Sequence, residues 1–273
     1  MKFKTKLTAI SSIILIYSFS FGCGGRNKSS DPNHLIVGVE SGPEFKIAQV
    51  AQMIAKEKYG LDVELVAFND YVMPNEALSQ GDIDINVYQN KPYLDVQAAQ
   101  RGYKFVIMGN TFVYPLAGYS KKIKNISKLQ DGSTIIIPND PTNSGRSLLL
   151  LQTSGLLKLK PNVGLLPTVN DIVSNPKNIK ILEMEAPQLP RALDDANVTI
   201  AIINATFATP IGLIPARDGL FMESSHSPYV NCIVARDDEK GEDKIKKFVK
   251  AYESDEVNQA AQVEFKGGAI KGW

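Results

Sequence analysis

The stretch that most constrains the fold runs from Ser133 to Leu157 and reads STIIIPNDPTNSGRSLLLLQTSGLL. The β-branched run Thr134 to Ile137 predicts a strand buried on both faces. The turn formers Pro138-Asn139-Asp140-Pro141 follow, and Thr142-Asn143-Ser144 opens a helix that carries Leu148 to Leu151 and stops near Gly155. Strand, polar turn and helix start make an anion site in α/β proteins, because the first N–H groups of a helix lack internal partners and the helix dipole is positive there. Gly145 would let a ligand come close to the backbone, and Arg146 adds a planar donor fork suited to a carboxylate or phosphate. An ordinary capped helix with a solvated arginine fits the same residues. There is no Gly-x-x-x-x-Gly-Lys and no Gly-x-Gly-x-x-Gly, so a nucleotide is disfavoured.

The first residues read as a targeting segment rather than as part of the fold. Lys2, Lys4 and Lys6 precede a Ser-diluted apolar stretch from Leu7 to Phe21, which is too short to predict a membrane span. Gly22-Cys23 after it resembles a bacterial lipoprotein processing site, although Ser20 stands where the common pattern has Leu. A plain secretory signal is the alternative. If Cys23 becomes the mature N-terminus, residues 1–22 are a signal peptide and residues 23–33 a lipidated, flexible tether. Cleavage would take three lysines and no acid from the chain's 30 basic and 29 acidic residues, leaving 27 against 29. That balance argues against nucleic acid and against an electrostatic grip on a membrane.

Cys232 is the only other cysteine, so no intrachain disulfide is expected in the mature chain, and it sits in an apolar run that reads as core. Two histidines, His34 and His226, with no Cys-x-x-Cys, give no zinc-type spacing and no metal site.

Beyond the tether, strand and helix patterns alternate. Strands are expected at Leu35–Val39, Leu61–Phe68, Ile83–Tyr88 and Phe105–Met108. Helices are expected between them, at 74–80 and Pro92–Arg101 among others. After 113–122 the rhythm restarts at the central strand, with later strands at Ile179–Met184 and Val198–Ile203 around a helix at 186–195. Val230–Ala235 is a further strand, and 241–265 is helical, with Ile245, Phe248, Val249 and Tyr252 on one face. Such alternation predicts parallel sheets with helices on both faces. Two βα series joined twice predict two lobes: 34–112 plus 231–273, and 113–230 including the crossovers.

Ligands of parallel sheets sit beyond the carboxyl ends of the strands. Tyr71 follows the second strand. Asn86, Tyr88 and Asn90 mark the third, Asn143 and Arg146 follow the central one, Asn204 a later one, and Asn231 lies on the return crossover. Singly these are caps and core-edge rings. Together they offer amides, aromatic faces and one guanidinium.

The segments FNDYVMPNEAL (68–78), QNKPYLD (89–95), VYPLAGYSKK (113–122), PNDPTNSGRSLLLLQ (138–152), LEMEAPQLPRALDD (182–195) and SPYVN (227–231) resemble the NlpA-type methionine-binding lipoproteins. These are the substrate-binding components of a methionine ABC importer, and the similarity runs from about His34 to Trp273. The resemblance implies an α/β, two-lobed periplasmic-binding-protein clamshell with two crossover segments, no catalytic residues and no cofactor. It implies L-methionine or its D-enantiomer as ligand, and an importer permease and ATPase as partners. It also implies anchoring through the Cys23 lipid to a bacterial membrane on the extracytoplasmic side, periplasmic in a Gram-negative cell. The family's ligand residues map onto Tyr71, Asn86, Tyr88, Tyr93, Asn143, Arg146, Asn204 and Asn231. The family motif Gln-His-x-Pro-Tyr is changed here, with Asn90 at the His position.

The implied roles follow. Arg146 and the helix N-terminus take the ligand carboxylate, Asn204 and Asn231 orient the head group, and Tyr71, Tyr88 and Phe68 enclose the thioether. Another small apolar amino acid or a methionyl peptide is the alternative ligand. An exported hydrolase is the alternative class, but no Gly-x-Ser-x-Gly elbow and no plausible nucleophile–base pair supports it.

Overall fold

The computed structural model describes residues 31–273. The expectations for the signal peptide, Cys23 and most of the tether lie outside the described residues.

The first half of the fold contains β1 (His34–Glu40), α1 (Pro43–Tyr59), β2 (Asp62–Phe68), α2 (Met73–Gln80), β3 (Ile85–Asn90), α3 (Lys91–Arg101) and β4 (Phe105–Val113). The chain then builds β5 (Ala117–Tyr119), β6 (Thr134–Pro138), α4 (Pro141–Thr153), and the small ribbon β7 (Lys158–Leu159) with β8 (Ile172–Ser174). Next come β9 (Lys180–Met184), α5 (Leu189–Ala192), β10 (Ile200–Ile203), α6 (Ala205–Ala208), α7 (Pro215–Asp218) and β11 (Phe221–Met222). It returns through β12 (Val230–Arg236), α8 (Asp243–Tyr252), α9 (Asp255–Glu264) and β13 (Ile270–Lys271).

Two sheets result. The first has the order β13-β4-β12-β3-β1-β2 and the second β11-β5-β10-β6-β9. Strands β2, β1 and β3 are parallel, as are β10, β6 and β9. The expectation of parallel sheets needs correction, since both sheets are mixed. β12 inserts antiparallel between β3 and β4, and β5 and β11 are antiparallel additions to the second sheet. The reason is chain path: a strand returning from the other half enters the sheet from its far end. Val230 pairs with Val113, so the outgoing and returning passages lie side by side.

Core formation follows the apolar pattern. Leu35, Val37 and Val39 on β1 pack on Ile47, Ala51 and Ala55 of α1, with Ile245, Phe248 and Tyr252 of α8 in the same cluster. The other face of the first sheet buries Leu78, Ile83 and Leu94. In the second sheet Ile135 and Ile137 face Leu148 and Leu151 on one side, while Ile136 and Ile203 face Leu189 and Leu193 on the other. β6 is therefore buried on both faces, as its unbroken β-branched run predicts.

Three elements differ from the sequence pattern. β4 runs on to Val113 through the polar Gly109-Asn110-Thr111, because β12 pairs along its length. Residues 186–195 hold only a 3-10 turn and the one-turn α5, since Pro187 and Pro190 carry no N–H to continue a helix. The closing helix breaks at Glu253-Ser254, where the Ser254 hydroxyl caps α9 by accepting from the Val257 N–H at 3.4 Å. Among the described residues no helix is long and apolar enough to cross a membrane.

Candidate ligand-binding site

The carboxyl ends of β2 and β3 in one sheet and of β6 and β10 in the other converge on one cavity. Tyr71, Tyr88, Asn90, Tyr93, Asn143, Arg146, Asn204 and Asn231 all line it.

Arg146 lies in the second turn of α4 and is buried. Its Nε donates to Glu223 Oε1 at 2.7 Å, and its Nη2 donates to Glu223 Oε2 at 2.5 Å and to the Tyr114 carbonyl at 3.0 Å. The Tyr229 ring covers the guanidinium, 4.4 Å from Cζ to the centroid. Nη1 has no hydrogen-bond partner among the described residues. A fork fixed by a bidentate carboxylate thus keeps one charged donor for a ligand.

Of the two readings the sequence leaves open for the α4 N-terminus, an anion site or an ordinary capped helix, the side-chain cap is present. Asp140 caps it, accepting from the Asn143 N–H at 2.9 Å, so the chain's own carboxylate occupies that position. Burial raises the Asp140 pKa above its ordinary value, against the lowering effect of the Asn143 and Thr142 hydrogen bonds. Gly145 does not serve the ligand either. A Cβ there would stand 2.9 Å from the Leu165 carbonyl and 3.0 Å from Leu166 Cα, so it is the 165–167 loop that needs the glycine.

The amides are fixed by one another. Asn143 Nδ2 donates to Asp140 Oδ2 at 2.9 Å, and Asn143 Oδ1 accepts from Asn204 Nδ2 at 3.0 Å. Asn204 Oδ1 is left buried with no partner among the described residues. Asn231, half-buried, donates through Nδ2 to the Tyr88 carbonyl at 2.9 Å, and its Oδ1 makes no hydrogen bond among the described residues. Two unmatched amide oxygens near one unmatched guanidinium nitrogen suit an ammonium and a carboxylate on one carbon.

Tyr71, Tyr88 and Tyr93 form an aromatic cluster with centroids 6.0–6.2 Å apart. The Tyr88 and Tyr93 hydroxyls both donate to the Tyr71 carbonyl, at 3.0 and 2.7 Å, leaving ring faces rather than hydroxyls for a ligand. Burial pushes all three phenols above their ordinary pKa, so they stay protonated.

Asn86 is placed differently from the other eight. It lies outside the cavity wall in a buried amide cluster, donating to Asn75 Oδ1 at 2.9 Å and accepting from Gln89 Nε2 at 2.9 Å. It is the second residue of β3, four rises of about 3.3 Å from the carboxyl end, and so braces Gln89 from behind. Asn90 is the N-cap of α3, its Oδ1 accepting from the Tyr93 N–H at 3.0 Å. Gln89, Tyr114, Ala205 and Thr206 complete the wall without having been predicted. Gln89 is the one with a sequence signal, since it directly precedes Asn90. Phe68 is not part of the wall.

The NlpA lipoprotein family model matches residues 35–273. The chain belongs to the NlpA lipoprotein family. The D-methionine-binding lipoprotein MetQ of Escherichia coli (strain K12) is 62% identical over 273 residues, 100% of both chains. The crystal structure of the methionine binding protein MetQ superposes with a TM-score of 0.88 at 66% identity, covering 89% of this chain and 99% of that one. A nutrient binding protein from Burkholderia cenocepacia bound to methionine gives a TM-score of 0.85 at 46% identity, covering 88% of this chain and 100% of that one. The two halves described above are accordingly the two lobes of a substrate-binding-protein fold, as in other NlpA lipoproteins.

Proposed function

We propose that this chain is an extracytoplasmic, lipid-anchored binding protein that encloses methionine between its lobes and delivers it to an ABC importer. The observation that carries the reading is the charge pattern of the cavity. Arg146 keeps one free donor beside the unmatched oxygens of Asn204 and Asn231, and the tyrosine cluster supplies an apolar end. A zwitterionic amino acid with an apolar, polarizable side chain complements that pattern. Burial of a Met-sized side chain contributes about 1.5–3 kcal/mol, and each sulfur–aromatic contact about 0.3–1.5 kcal/mol. The names of the relatives, one described as D-methionine-binding and one as bound to methionine, support the same ligand.

The lobes are taken as 34–112 plus 231–273 and 113–230, so that closure buries the ligand and changes the face seen by a permease and its ATPase. Cys23 is the lipidated mature N-terminus in this reading. In this reading the chain binds its ligand without transforming it, which the names of its binding-protein relatives support. Thermal shift against single amino acids tests the function. Methionine should raise the midpoint more than any other. A larger shift with a polar amino acid would remove methionine as the ligand.

A further inference from the structure

Two buried carboxyls behind the cavity have no part in the reading above. Glu40 ends β1, is fully buried, and neither of its oxygens has a hydrogen-bond partner among the described residues. Glu44, in the first turn of α1, is 3% exposed and accepts a hydrogen bond of 2.6 Å from Thr206 Oγ1. That bond runs from the first lobe to a residue of the second that itself lines the cavity.

The same stretch of the second lobe packs on residues next to both acids. The Phe207 ring lies 5.1 Å from that of Tyr71, and Pro210 Cγ is 3.5 Å from where a Gly42 Cβ would stand. Gly42 has φ +85°, which a glycine adopts without strain, and it lets the chain turn from Glu40 into α1 beside that stretch. Parting the lobes would withdraw Thr206, Phe207 and Pro210 together and admit water to the carboxyls.

The titratable groups around the pair are Asp70, Tyr71, Tyr88, Tyr93, Tyr114 and Tyr252, and no cation is among those acting on either acid. Burial is the leading influence on both. It pushes Glu44 up to about 8 against the opposing Thr206 hydrogen bond, and it raises Glu40 well above the carboxylate range, with Glu44 and Asp70 adding to the effect.

We infer that Glu44 is a positioning residue of the site, holding Thr206 across the lobe boundary, and that closure on the ligand takes up a proton at the Glu40–Glu44 pair. The inference rests on the amino-acid-binding reading. With the lobes parted, a solvated Glu44 returns toward its ordinary value of 4.5. The closed form then holds the proton more tightly than the open one. The advantage to closure is complete below the lower value and is lost as pH rises through the higher. Between them, affinity falls by up to about tenfold per pH unit for each proton taken up.

Calorimetric titration of the purified protein with L-methionine, between about pH 5.5 and about pH 7.5, reads this directly. Two buffers of different ionisation heat should give different apparent enthalpies near pH 6.5, corresponding to net proton uptake of up to about one for each of the two acids. Affinity should weaken as pH rises. Glu44→Gln should reduce the uptake, and the double variant Glu40→Gln/Glu44→Gln should abolish it. Methionine binding with buffer-independent heat and a flat pH profile would overturn the inference and leave the function standing, as would uptake that persists in the double variant. No methionine binding at any pH would overturn both.

Discussion

Replacing Arg146 by alanine separates two jobs that the structure gives one side chain. Its Nε and Nη2 are committed to Glu223, whose side chain is only 12% exposed, and a third bond goes to the Tyr114 carbonyl. Truncation therefore leaves a nearly buried carboxylate unpaired, which costs about 3–5 kcal/mol of stability. At about 2–4 °C per kcal/mol for a chain of this size, the melting midpoint should fall by roughly 6–20 °C. Loss of the free Nη1 removes the ligand carboxylate's partner and costs about 2–5 kcal/mol, or roughly 30- to several-thousand-fold in methionine affinity. Arg146→Ala/Glu223→Gln tests the division. The glutamine oxygen can still accept from the Leu116 N–H, which Glu223 now serves at 3.0 Å, without leaving a charge behind. Melting and calorimetric titration should show the double variant regaining stability but not affinity. A single variant melting within about 2 °C of the parent chain would refute the burial argument. Recovery of methionine binding in the double variant would refute the carboxylate role.

Asn90→His should tighten methionine binding by no more than about tenfold, the limit of one aromatic–sulfur contact. It should also lose about 0.5–2 kcal/mol of stability with the α3 cap, and paired titration and urea denaturation would show a different pattern if Asn90 touches neither. Gly145→Ala should destabilise by about 1–3 kcal/mol, because its Cβ meets backbone of the 165–167 loop rather than a yielding side chain. An unchanged urea midpoint would contradict that. Cys23→Ala should release the protein from the membrane pellet, and unchanged detergent partitioning would remove the anchor.

Local pattern made much of the fold legible. The β-branched run of β6 and the apolar face of α8 appear where the sequence places them, because burial there is decided by neighbours a few residues apart. The direction of β12 is not local. It depends on a chain that leaves at Val113 and returns at Val230. The site divides similarly. Amides and tyrosines near strand ends were readable one by one, and seven of them meet in the cavity with Arg146. The Arg146–Glu223 pair spans 77 residues, and Glu223 sits in a polar stretch with no periodicity to mark it. Glu40 and Glu44 carry no sequence signal of burial, and the Thr206–Glu44 bond that ties the second of them to the other half spans 162 residues.

The most direct test of the central claim is a competition in which the protein chooses its ligand. Purified protein is stripped, equilibrated with an equimolar mixture of the protein amino acids, freed of unbound solute and denatured. The released small molecules are then identified by mass spectrometry. The cavity described here predicts methionine, at close to one per chain. A polar amino acid in its place, or no amino acid retained at all, would contradict the account.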